Sequence, residues 1–520
     1  MPETINLDLS PGEAADPQAI RRVLARKTGR QVAADRFVIR RRSIDARKPK
    51  IRVNLSVRIY GDGESPASER PEFSYRDVAS ATPIIIVGGG PAGLFAALRL
   101  LELGLKPVVI ERGKPVKARR RDVAALNRRG ILNPESNYAF GEGGAGTFSD
   151  GKLYTRSKKR GDQRRVLHRF HQHGADERIL YEAHAHIGSN RLPDIVAAMR
   201  KTIAAHGGEI HFQQSINGLS FAQGRLSGVV LRDGQCIQGR AVILATGHSA
   251  RDVYEMLMAH HITLEAKPFA MGVRVEHPQH LIDRIQYHGR GRGEFLPAAA
   301  YNLVRQIEHR GVYSFCMCPG GYIIPASTQD HAQVVNGMSF AKRNSPFANA
   351  GVVVEIRLAD IPGLASMGPL AALNYQQTLE RAAFRNGGGG VIAPAQRLVD
   401  FVENRLSTTL PACSYPPGVT ASPLHQWLPP FICRRLQAGF RAFGHSMRGF
   451  LTNEAVVVGV ESRTSSPVRI PRDPLTLQHV SVPGLFPCGE GAGYAGGIVS
   501  CAVDGERVAE AVANYVLDTI

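Results

Sequence analysis

Pro83-Ile84-Ile85-Ile86-Val87-Gly88-Gly89-Gly90-Pro91-Ala92-Gly93-Leu94-Phe95-Ala96-Ala97-Leu98 is the stretch on which the reading of this chain turns. The apolar run 84–87 has no polar face, so it reads as a central parallel strand covered on both sides. Residues 92–103 then read as an Ala/Leu-rich helix that Gly104 ends, and residues 107–110 as the next strand of a βαβ unit. Between strand and helix lies Gly88-x-Gly90-x-x-Gly93. Gly88 permits the tight turn, Gly90 lets backbone approach a pyrophosphate, and Gly93 lets helix and strand pack closely. The helix N-terminus, with free N–H groups and a positive dipole end, suits that anion. Glu111, closing the second strand, is placed to accept ribose hydroxyls. The plain alternative is a glycine turn without ligand; the strand–loop–helix context favours a dinucleotide.

Working outward, three more small-residue segments stand out. In 141–152 (GEGGAGTFSDGK) the glycines can let backbone N–H groups surround a phosphate or a flavin edge, or can form a mobile surface loop. Ala245-Thr246-Gly247 follows a buried strand at 241–245, where small residues can face a cofactor or simply turn the chain. In 484–498 (GLFPCGEGAGYAGGI) a strand feeds a small-residue loop and then a helix over 499–516. Glu490 is placed to bind a polyol, and the helix start near Gly497 can point at an electron-rich ring.

Together these segments resemble the glutathione-reductase-type FAD fold. More narrowly, the chain resembles a bacterial family of poorly characterised NAD(FAD)-utilising dehydrogenases. The likeness runs through 138–153, 311–321 (GVYSFCMCPGG), 336–339, 393–397, 459–470 (GVESRTSSPVRI) and 484–498. It implies FAD as prosthetic group and no particular substrate. It also implies FAD contacts at Gly88, Gly90, Pro91, Ala92, Gly93, Glu111, Gly146, Gly247, Gly489, Glu490 and Ile498. The expected reaction is hydride transfer through the flavin to or from a small organic molecule, with NAD(P)H as a transient donor. Two other readings stay open: a flavoenzyme acting on nucleic acid or its precursors, and a non-catalytic flavin redox sensor. No CxxxxC dithiol is present, and no second GxGxxG occurs between 150 and 480, so no dedicated nicotinamide site is visible.

The fold class expected is α/β: a Rossmann-like FAD-binding domain, an inserted α+β substrate domain and a small N-terminal α/β module. At 520 residues the chain exceeds the ~250–300 at which one core stops growing. The boundaries read are 1–80 for the module, 81–266 and 451–520 for the two parts of the FAD domain, and 267–450 for the substrate domain. In the module, Asp16 and Pro17 start a helix that runs to Thr28, strands follow at 36–42 and 51–60, and 61–82 reads as a polar linker. Residues 219–237 read as an antiparallel meander.

Candidates for the chemistry are fewer: Arg463, Glu461 and His248 are the catalytic candidates. Arg463 can bind a substrate carboxylate or steady an anion, or can pair internally with Glu461. His248 can donate a proton or be structural. Cys316 and Cys318 form a CxC whose side chains share one strand face; both can face the flavin or be inert core thiols. No metal spacing is seen. The net charge is +19 from 64 basic and 45 acidic residues, and 40–42, 119–121 and 158–160 are candidate polyanion patches, although none holds an aromatic. Seven cysteines without a framework, an N-terminus without a signal peptide, and no stretch near ~20 apolar residues point to the cytoplasm and away from a membrane.

Overall fold

Val87 and Gly489, far apart in the chain, follow or end strands of one sheet that are separated by a single strand, Val242–Leu244. The computed structural model describes residues 3–61, 64, 71–154, 161–361 and 363–518. Pro83–Val87 is central in a five-stranded parallel sheet. Lys106–Glu111 and then Glu209–Phe212 lie on one side; Val242–Leu244 and then Leu485–Pro487 lie on the other. Chain direction along the sheet therefore reverses between Pro83–Val87 and Val242–Leu244. That switch point is where open α/β sheets form a ligand crevice.

The helices Pro91–Leu103 and Ile498–Asp518 pack against each other. Gly505 permits it: a Cβ there would lie 2.1 Å from the Ala92 carbonyl oxygen. The two glycine-fed helices are thus locked side by side, and their loops open together.

A second sheet has seven strands, in the order Val304–Ile307, Arg310–Cys318, Phe347–Ile356, Phe269–Pro278, Val456–Glu461, Ala393–Arg397 and Val419–Ala421. All neighbours are antiparallel except the last pair. Pro430–Ser446 covers it, packing Phe440 and Phe443 into a core with Val275 and Val352. The second part of the FAD domain was expected to begin at 451. Instead Val456–Glu461 pairs with Phe269–Pro278, and the chain rejoins the nucleotide-binding sheet only at Leu485. The unbroken Val456-Val457-Val458 run fits either sheet, so local pattern alone does not assign it.

The N-terminal module is a three-stranded antiparallel sheet, Glu3–Leu9, Arg52–Ile59 and Phe37–Asp45, with helices Pro11–Ala15 and Pro17–Thr28. Asp16 caps the second helix by accepting from the Gln18 N–H, and Gly29 closes it in the left-handed region. The first strand is an addition to the sequence reading, although Ile5, Leu7 and Leu9 alternate with polar residues. The expected linker is partly structured: Arg76 and Val78 donate backbone N–H bonds to Leu101 and His206, and Val78 is buried. The module docks on the rest of the chain through Arg42. Its backbone exchanges hydrogen bonds with Tyr181 and Ala183, and its guanidinium lies 2.8 Å from Glu182. The meander starts earlier than read, at Ile216–Ala222, and continues through Arg225–Leu231 and Cys236–Gln238. Among the described residues no helix is long and apolar enough to cross a membrane.

Candidate cofactor and active site

A cavity of about 2740 Å³ opens at the switch point. Ligand pockets of ~300–1,000 Å³ hold drug-sized molecules, so this one has room for a dinucleotide and a substrate together. Of the residues expected at the cofactor, Gly88, Gly90, Pro91, Ala92, Glu111, Gly146, Gly247, Glu490 and Ile498 line it. Gly93 and Gly489 do not. A Cβ on Gly93 would lie 2.0 Å from the Gly88 carbonyl oxygen, and one on Gly489 2.9 Å from the Ala92 Cβ. Both are spacers: they let the loop, strand and helices close up behind the residues that face the cavity.

Gly90 is different. It is the N-cap of Pro91–Leu103, with no side-chain cap, and a Cβ there meets nothing nearer than the Gly144 Cα at 3.8 Å. The protein's own packing does not demand glycine at this point. A cradle for an anion at a helix N-terminus does.

Glu111 gathers three turns. Its carboxylate accepts from the N–H groups of Gly89 (2.7 Å), Gly113 (2.8 Å) and Gly141 (2.9 Å). A carboxylate has about four acceptor sites, which leaves one for a ribose hydroxyl. The Gly247 turn sits directly against the C-terminal loop, since a Cβ on Gly491 would lie 2.4 Å from the Gly247 carbonyl oxygen.

The loop 141–152 is not a mobile surface loop. Arg119, fully buried, donates to the carbonyl oxygens of Asn137, Tyr138, Glu142 and Gly144. Burial pulls its pKa down to about 10, so it remains cationic at neutral pH. Glu142 ties the same loop to the Val116 N–H and to Arg200. Of the 119–121 run, Arg119 is internal scaffolding, while Arg120 and Arg121 are exposed. Arg42 is ion-paired, and 158–160 lie outside the described residues.

The alternative in which Arg463 pairs internally with Glu461 does not hold. Glu461 bonds to the buried Arg274 at 2.8 Å and does not line the cavity. Arg463 does line it, but four of its N–H groups are taken by the two oxygens of Glu380, by Ser249 and by Thr328. It works as a clamp between the two sheets' domains, with one of five N–H donors left over. Alternation along Val456–Glu461 and the irregular turn after it point the two side chains at different partners. Glu380 also holds Arg251 at 2.9 Å, and these two arginines, against the cost of burial, keep its pKa at about 2. His248 faces the cavity with Nδ1 3.5 Å from Glu490 Oε1.

Three residues central to the site went unread in the sequence. Asp504 accepts from the Gly489 N–H (2.8 Å) and pairs with Arg472 (2.6 Å), pinning the C-terminal loop. Lys152 is half-buried beside Asp150, Cys316 and Cys318. Glu380 joins two arginines from remote segments. None has a local pattern; each is defined by partners far along the chain. Among the described residues no group of three or more His, Cys, Asp or Glu side chains is placed to hold a metal ion.

The comparisons agree with this geometry. Residues 83–296 match a family of FAD dependent oxidoreductases, 268–464 match the C-terminal domain of FAD-dependent proteins, and 1–60 match a domain of unknown function. A protein of Clostridium beijerinckii described as uncharacterized is 41% identical over 496 residues, covering 91% of this chain and 92% of its own. The fold and site define an FAD-binding oxidoreductase of mixed α/β build. The chain belongs to the FAD-dependent oxidoreductase family that its domains and this relative define, and FAD is its cofactor. Solved structures are more distant. A geranylgeranyl bacteriochlorophyll reductase-like protein of Thermoplasma acidophilum is 13% identical with a TM-score of 0.35, covering 84% of this chain and 79% of its own. A quinol fumarate reductase of E. coli is 12% identical with a TM-score of 0.37, covering 85% and 71%.

Proposed function

We propose that this chain is a dehydrogenase or reductase for a small organic molecule, holding FAD extended across the switch point in the glutathione-reductase manner, with NAD(P)H as a transient electron donor. The observation that carries the reading is the convergence of the loops at 88–93 and 489–498 on one cavity. FAD, when bound, supplies a ring that accepts and releases hydride. The residues do the rest. Gly90 and the first turn of Pro91–Leu103 hold the pyrophosphate, and Glu111 accepts from the adenosine ribose. Glu490, steadied by His248, accepts from the ribityl chain. The N-terminus of Ile498–Asp518, opened by Gly497 at φ +108°, stabilises negative charge at the ring's edge. Glu461 and Arg463 stand outside the chemistry as positioning residues; His248 faces the cavity beside Glu490 and is our candidate for proton transfer. A cofactor cradle beside a large cavity lined by charged side chains, Lys152, Lys267 and Arg343 among them, fits a small polar substrate.

The test is direct. The purified protein should be yellow, and heat should release FAD identified by chromatography. Anaerobic mixing with NADH or NADPH should bleach it. A colourless protein that will not take up FAD refutes the cradle. A yellow protein that neither donor bleaches removes the nicotinamide and supports a redox sensor or another electron donor.

A further inference from the structure

Cys316 and Cys318 do not share a strand face. The strand Arg310–Cys318 loses register between Phe315 and Cys318, and Cys316 adopts φ +47° there. A non-glycine residue in that region is strained, and such strain is kept where the surroundings over-determine it. The bulge turns Cys316 into the cavity, where it lines the wall with Lys152, while Cys318 stays buried behind it. Lys152 Nζ lies 3.6 Å from each sulfur. Arg274 Nη2 lies 3.6 Å from Cys318 Sγ and 2.8 Å from the Cys316 carbonyl oxygen. The anions nearby have partners of their own: Asp150 bonds to Arg343 and Ser339 and also pairs with Lys152 at 3.5 Å, and Glu461 bonds to Arg274. The remaining titratable neighbours are Tyr154, Tyr301 and His186; burial raises the two tyrosines and lowers His186, bridged to Lys152, to about 4, so all three stay neutral.

We propose that Cys316 is a cavity-facing thiolate nucleophile, ion-paired with Lys152, that forms a mixed disulfide with a small disulfide entering the cavity. In the step, the Cys316 sulfur forms a bond to one sulfur of the incoming disulfide and the bond between the two incoming sulfurs breaks. One half remains on Cys316; the other departs as a thiolate with the electron pair and takes a proton from solvent. A cation beside the sulfur and an opening to solvent are the conditions that make a cysteine reactive. The electrostatics agree. The hydrogen bond from the Cys318 thiol, helped by Lys152 and Arg274 and opposed by burial, draws Cys316 well below the usual thiol range. The same contact and burial push Cys318 well above it, and the Cys318 thiol lies 3.3 Å from the Cys316 carbonyl oxygen. Asp150, against burial, keeps Lys152 charged.

The inference stands apart from the flavin assignment, because it is scored by mass and the flavin content of the same sample is read from its visible spectrum. The holoprotein is treated at about pH 6 with one equivalent of an aromatic disulfide, dithiobis(nitrobenzoate), and mapped by peptide mass spectrometry. One adduct on Cys316, formed ahead of any on the exposed Cys236 and removed by dithiothreitol, is the expected result. Lys152→Met should slow that labelling at least about tenfold at the same pH, and Lys152→Arg should restore it. If Lys152→Met does not fold, the wild-type profile decides. A thiolate labels at a nearly constant rate between about pH 6 and 8, whereas an ordinary thiol gains about tenfold per unit. Labelling of Cys236 first, a tenfold-per-unit rise at Cys316, or an unchanged rate in a folded Lys152→Met protein overturns the proposal.

Discussion

Replacing Gly90 by alanine should remove FAD and leave the protein folded. The backbone at Gly90 is extended, φ −77° and ψ −174°, so alanine adopts it without strain. The new Cβ would touch only the Gly144 Cα at 3.8 Å. Alanine restricts the unfolded chain, worth about 0.4–1 kcal/mol in favour of folding, but is a poorer N-cap than glycine by a similar amount. The apoprotein should therefore change by less than about 1 kcal/mol. Gly93→Ala is the contrast: its Cβ would sit 2.0 Å from the Gly88 carbonyl oxygen, and such overpacking costs about 1–3 kcal/mol or more. Bound FAD at a hundredfold excess over its Kd stabilises by about 2.7 kcal/mol. Thermal unfolding of each apoprotein, with and without added FAD, separates the two effects. Gly90→Ala should unfold at the wild-type apo midpoint and gain nothing from FAD; Gly93→Ala should fall in both conditions. If Gly90→Ala retains stoichiometric FAD and the full rise in midpoint, the pyrophosphate does not pass this residue and the cradle is misplaced.

Glu380→Gln should strip Arg251 and Arg463 of their buried counter-charge and cost about 3–5 kcal/mol in urea unfolding at neutral pH. Because the folded pKa of Glu380 is about 2, below its ordinary 4.5, its contribution is present above about pH 4.5 and is lost as pH falls through about 2; a wild-type protein showing no such loss contradicts this. Glu276 runs the other way. Burial, opposed by bonds from Ser414, raises it to about 7, so folding is favoured below about pH 4.5 and that advantage, about 3 kcal/mol, disappears as pH rises through 7. Glu276→Gln should flatten stability across that window, as read from chemical unfolding at successive pH values. Asp504→Asn should loosen the C-terminal loop by weakening its hold on Arg472, and should raise the FAD dissociation rate at least about tenfold in a flavin-fluorescence release assay. Unchanged release would show that the loop is held by packing alone.

What the residues alone determined was local and glycine-borne. The strand–loop–helix at 83–103, the carboxylate at 111 and the small-residue loop at 484–498 each carry their meaning within one short window, because backbone conformation at a glycine and burial of an apolar run are short-range properties. The cofactor and the α/β class followed from those windows; the strand order did not. Tertiary structure decided everything that depends on a partner elsewhere in the chain. It placed Val456–Glu461 in the second sheet, turned Arg119 from a surface charge into the buried anchor of a loop, and gave Glu461 and Arg463 separate counter-ions. It also brought Lys152 to two cysteines more than 160 positions away. Charge pairing acts through space over a few ångströms and leaves no periodic trace along the chain, so the cradle was legible in advance and the network of ions around it was not.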